Sequence, residues 1–187
     1  MKANAFRRAT GRLLVVTGLA TLLGSGFVWA RANYDKTSRD NAPLPAFDRA
    51  EVPDLGRTLG RLEVPRLGLS TIVVEGDDQF NLLVGAGHLA ETPLPWRDGN
   101  SVLAGHRDTD FRPLRKVREG DRIWFRTGDM AIEYVVRETL IVEPTDLTAL
   151  RPTAQPTLTL ITCYPFTYIG PAPKRFVVRA DRTTRAL

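Results

Sequence analysis

The stretch from about residue 56 to residue 187 predicts an all-β sandwich or barrel, and two observations carry that expectation. Short apolar or alternating runs recur there, each ended by Gly, Pro, Asn or Asp, which is the texture of many short strands. One longer stretch, 121–143, alternates on both sides of a single Gly128-Asp129 turn signal, as a hairpin does.

Taken in order, "GRLEVPRLGLSTIVVEG" (60–76) gives two short strands around Pro65 and Gly68. "NSVLAGH" (100–106) is a brief apolar strand that stops at Gly105. In the hairpin, Ile132, Tyr134 and Val136 fall on one face and Glu133 and Arg137 on the other. "TLTLITC" (157–163) and "KRFVVRA" (174–180) supply the last two strands. Small helices fit at about 78–84, 110–117 and 145–150, and the total is roughly eight strands. His88 falls in the segment "VGAGHLAETPLPW", which reads as turn-rich.

The N-terminal part has a different character. Leu13 to Ala30 is an 18-residue run without a charge, long enough to cross a bilayer as a helix. Lys2, Arg7, Arg8 and Arg12 precede it with no acidic residue, so the positive-inside bias keeps residues 1–12 in the cytoplasm and sends the rest outside. "ARA" at 30–32 has the shape of a signal-peptidase site, but the apolar run exceeds the usual length of a cleaved signal and favours an uncleaved anchor. Residues 31–55, polar and holding Pro43, Pro45 and Pro53, read as a stalk. The expected organisation is a basic N-terminus at 1–12, a transmembrane helix at 13–30, a stalk at 31–55 and an extracytoplasmic folded domain at 56–187.

Five of the 26 Lys and Arg residues lie in the first 32 positions, leaving 21 against 21 acidic residues in the exported part. The overall charge of +5 therefore belongs to the anchor, and bulk charge gives no support for a nucleic-acid surface. With one cysteine the chain makes no internal disulfide, so the domain rests on its packed core.

That cysteine, Cys163, ends its strand just before Tyr164-Pro165, and Pro165 cannot donate to a ladder bond. Position alone leaves an inert buried thiol and a reactive one at a strand end both open. A nucleophilic thiol needs a base. His106 ends one apolar strand as Cys163 ends another, so the two side chains could meet at one rim of the fold; the plain alternative is a histidine bonded to Asp108 or Asp110. For His88 the structural reading is preferred. Arg175 lies twelve residues beyond Cys163 on a strand that would bring a guanidinium near the thiol if the two strands pair; otherwise it is a solvated arginine. Neither C-x-x-C nor H-x-x-x-H is present, which argues against zinc, whereas loop carboxylates leave room for a weak calcium site. There is no phosphate-binding glycine loop and no G-x-S-x-G elbow.

The ordered set of an N-terminal anchor, "GHRDTDF" (105–111), "TLITC" (159–163) and "RFVV" (175–178) resembles the sortases, cysteine transpeptidases that act on exported proteins at the bacterial cell surface. "CYPFTYIGPAPKRFVVRA" looks most like class D sortases and related enzymes of Gram-negative bacteria. The resemblance implies an eight-stranded sortase barrel with Cys163 as nucleophile, His106 as general acid and base, and Arg175 positioning substrate and aiding the oxyanion. It also implies a substrate contact at Thr162 and a non-catalytic G-H position at His88. No cofactor is implied, and the partners would be an exported protein with an LPxTG-like C-terminal sorting signal, an amine acceptor on cell-wall peptide or a protein lysine, and the membrane. One departure is "PWRDGN" at 95–100, where such enzymes often have Pro-Gly. Other cysteine enzymes fit less well: L,D-transpeptidases place Gly-Cys after a second histidine and papain-like folds place Cys before His, while here His106 precedes Cys163 by 57 residues. From outside the enzymes, the competing reading is a membrane-tethered barrel that binds a ligand and keeps Cys163 as a structural residue.

Overall fold

The computed structural model describes residues 18, 21–27, 30, 44, 53–128, 130–168 and 170–186, the last three without their side chains. Residues 1–42 and 43–187 form separate units. In the first, residues 21–27 are helical and expose Leu22, Leu23 and Phe27. Half of the expected membrane span, nine of the 18 residues 13–30, lies outside the described residues, among which no helix is long and apolar enough to cross a membrane.

The second unit is a closed barrel. Its strands are β1 (Thr58–Val64), β2 (Leu69–Glu75), β3 (Ala86–His88), β4 (Asn100–Ala104), β5 (Arg122–Thr127), β6 (Met130–Val142), β7 (Thr157–Tyr164) and β8 (Lys174–Ala186). They are ordered β1-β2-β3-β4-β7-β8-β6-β5 around the wall, with β5 returning to β1. Pairing is antiparallel except for β2 with β3 and β4 with β7.

Local chemistry explains the joints. Pro65 opens a 3-10 turn at Pro65–Leu67, and Gly68 closes it at φ +61°, a left-handed conformation that costs a glycine little. Helix α1 (Gln79–Val84) starts at Asp78, whose carboxylate accepts the N–H groups of Phe80 (2.8 Å) and Asn81 (3.1 Å). Further 3-10 turns lie at Arg112–Lys116 and Leu147–Leu150, close to the expected small helices. The one strand missing from the sequence reading is β3: residues 86–88 pair with β2 and β4, so His88 is a strand residue rather than part of a loose turn.

Alternation places Leu62, Leu103, Phe125, Tyr134, Leu158 and Leu160 in the interior, each at most 1 % exposed. Burying one such leucine is worth about 1.5–3 kcal/mol. Tyr134 donates its hydroxyl to the Pro95 carbonyl, and burial pushes the phenol above its ordinary range. Trp96 packs on Phe125, and Arg182 grips Asp98 at 2.6 Å. The unusual "PWRDGN" stretch thus anchors a loop to the barrel.

Candidate active site

Period-two alternation divides β7 into two faces. Leu158, Leu160 and Thr162 are buried; Ile161 and Cys163 are half-buried on the opposite, outer face. β8 runs antiparallel beside it, and Cys163 pairs directly with Arg175, as Ile161 does with Val177. Such partners have Cα atoms about 4.5–5.5 Å apart, so a guanidinium stem rises next to the thiol.

On the other side, β4 runs parallel to β7 with Ala104 level with Ile161. The contact continues past the strand end: the Gly105 N–H donates to the Ile161 carbonyl at 3.1 Å, and the Thr162 hydroxyl donates to the Gly105 carbonyl at 2.7 Å. His106 follows Gly105 directly, on the segment that adjoins the Ile161–Thr162 end of β7. Gly105 is required by close approach, since a Cβ there would meet the Phe111 ring at 2.8 Å. Phe111 is fully buried and its N–H returns to the His106 carbonyl at 3.0 Å, which fixes the turn that carries the imidazole.

Cys163, His106 and Arg175 therefore lie on three adjacent segments, at the strand ends the sequence suggested, but on the outer wall of the barrel. A groove of about 290 Å³ runs along that wall. Its floor includes Ala104, Ile161 and Val177, Leu147 and Leu150 overhang it, and Arg175 lines it. What the arrangement brings together is a free thiol paired with an arginine, a histidine on the adjoining segment and a largely apolar groove.

The groups around these three are accounted for as follows. Cys163 is a free thiol. Among the described residues no hydrogen bond ties the His106 ring to Asp108, one of the two carboxylates the plain reading named; Asp110, the other, has an interaction of its own. Arg175 donates one nitrogen to the carbonyls of Lys174 (3.1 Å) and Ala172 (3.4 Å). Arg107 is committed to the β7–β8 loop through the Tyr168 (2.8 Å) and Gly170 (3.0 Å) carbonyls, with its guanidinium 5.9 Å from the Tyr168 ring centre.

Two expected residues sit elsewhere. Thr162, expected to touch substrate, is 3 % exposed on the inner face, opposite Phe176, and its hydroxyl is used to hold the Gly105 carbonyl. His88 is buried, its Nδ1 2.8 Å from the Glu75 carboxylate and its Nε2 3.1 Å from the Pro93 carbonyl. Among the described residues no three His, Cys, Asp or Glu side chains gather as metal ligands would. Sequence reading missed the overhanging Leu147–Leu150 segment, although Leu147 and Leu150 in the polar loop "EPTDLTALRP" were a visible signal of an apolar surface with a use.

A model of the Sortase domain matches residues 62–183. Sortase D of Bacillus subtilis (strain 168) is 35 % identical over 155 residues, covering 82 % of this chain and 76 % of the relative. Among solved structures, sortase C from Clostridium perfringens SM101 superposes with a TM-score of 0.63 at 29 % identity, covering 71 % of this chain and 73 % of the other. Sortase A of Listeria monocytogenes gives 0.61 at 31 % identity, covering 70 % of this chain and 90 % of the other. A cysteine transpeptidase is the class of enzyme these findings define. The chain belongs to the sortase family.

Proposed function

We propose that the chain is a membrane-anchored sortase that cleaves an LPxTG-like sorting signal through a thioester on Cys163 and passes the acyl group to an amine at the cell surface. The observation that carries this reading is the pairing that sets Cys163 opposite Arg175, with His106 on the adjoining segment and a largely apolar groove lined by Arg175 and Ile161 beside them. The Leu-Pro part of the signal lies in the channel between Ile161 and Leu147, which brings the scissile bond to the thiol.

In the first step the thiolate attacks the threonine carbonyl carbon. A C–S bond forms, the C–N bond breaks, and His106 gives its proton to the leaving amine. Arg175 stabilises the oxyanion of each tetrahedral intermediate, which needs a donor fixed before charge develops. In the second step an incoming amine attacks the thioester, the C–S bond breaks, and His106 takes the proton back. Thr162 serves by holding Gly105, and with it the His106 turn. Residues 13–30 supply the anchor and leave the barrel outside the cytoplasm.

The test is to incubate a fragment starting near residue 33 with LPxTG-like peptides and search by mass spectrometry for an acyl adduct. A thioester on Cys163 is the expected result; no adduct with any peptide would overturn the proposal.

A further inference from the structure

We infer that Asn100 is the positioning residue for the overhanging wall of the groove, setting peptide affinity without touching peptide. Asn100 is 2 % exposed at the start of β4. Its amide nitrogen donates to the Ala149 carbonyl at 2.8 Å and the Arg151 carbonyl at 3.1 Å. Its amide oxygen accepts the hydroxyl of Thr159, fully buried on β7, at 2.7 Å. Both carbonyls can only accept, so the amide has one possible orientation.

A second barrel side chain joins from β8: Arg179 donates to the Thr148 carbonyl at 2.9 Å. Within the short 3-10 turn the Thr148 carbonyl takes only the Arg151 N–H, at 3.4 Å, and side chains of the barrel wall supply donors to the carbonyls of Thr148, Ala149 and Arg151. Between them stands Leu150, and just before them Leu147, the two leucines that overhang the groove. The clamp reads backbone and not side chains. The segment can therefore change its sequence, and with it the peptide it prefers, while keeping its place.

Asn100→Asp keeps the shape but replaces the amide donors by an acceptor, leaving the Ala149 and Arg151 carbonyls without this partner. This inference rests on the reading of the groove as the peptide site, so two measurements separate them. The first is amide hydrogen exchange at Thr148 and Arg151 in the peptide-free domain, expected to quicken in N100D. The second is steady-state kinetics with an LPxTG-like peptide: KM rises about tenfold or more while kcat stays within about twofold. T159V, which removes only the hydroxyl that orients the amide, gives the same changes in smaller measure and carries the test if N100D does not fold. Unchanged exchange in the variant that folds overturns the clamp, and quickened exchange with unchanged KM overturns its link to peptide affinity. A wild-type domain that binds no peptide overturns the reading of the groove instead, whatever the exchange shows.

Discussion

At the scale of single residues, β7 makes neighbours do opposite work. Leu160 is fully buried in the core, and Leu160→Ala should cost about 2–5 kcal/mol of stability, seen as a fall in the denaturation midpoint with kcat/KM per folded molecule little changed. Ile161, one position on, floors the groove. Ile161→Ala should leave thermal stability within a few degrees of the parent and lower kcat/KM about tenfold or more, measured by peptide cleavage. Arg175→Lys keeps the charge but loses the planar fork of donors, and is expected to lower kcat by about 100-fold or more without unfolding the domain. Cys163 stood out as the only thiol, and its pairing with Arg175 was legible because the strands "TLTLITC" and "KRFVVRA" can pair in few ways. Thr162 was misplaced although its position was readable: with Leu158 and Leu160 inward, a period of two puts Thr162 inward too, and Cys163 out.

At the scale of elements, the joints show where pattern suffices. The β5–β6 hairpin was legible because it has long alternating arms and a glycine turn, whereas β3 is three residues of Ala-Gly-His whose strand character comes wholly from its neighbours. Another joint depends on charge. Asp121, at the entry to β5, accepts hydrogen bonds from the Arg66 guanidinium and from the Arg118 N–H at 2.8 Å, and the Arg66 bonds foremost hold its carboxyl below the ordinary range. A folded-state value below the unfolded one, about 3.9, means the carboxylate adds stability above that pH and loses it as pH falls through the folded value. Asp121→Asn should therefore lower Tm by several degrees at pH 7, and the gap to the parent should close below about pH 4 in paired melting curves. A gap that persists at acid pH would place the loss in packing rather than charge.

For the whole molecule, the proposed Cys–His pair predicts a bell-shaped dependence of kcat/KM on pH, because the mechanism needs a thiolate to attack and a protonated imidazole to donate. A profile with one limb would remove His106 from the mechanism. Deleting residues 1–32 should leave peptide cleavage in solution within about twofold of the full chain and move the protein out of the membrane fraction. The barrel class was legible from texture, but its closure was not, since closure depends on β5 finding β1 across the intervening sheet. That closure bears on what the enzyme can recognise. Each strand has a neighbour on both sides over part of its length, which leaves an extended polypeptide arriving at the wall little free edge to join. The generic hydrogen bonding that any chain offers then has a small part in capturing a client under the proposed function. On that proposal its admission would rest on the shapes of its side chains in the groove, which would let a transpeptidase work amid unfolded exported protein without acylating itself on whatever extended segment passes.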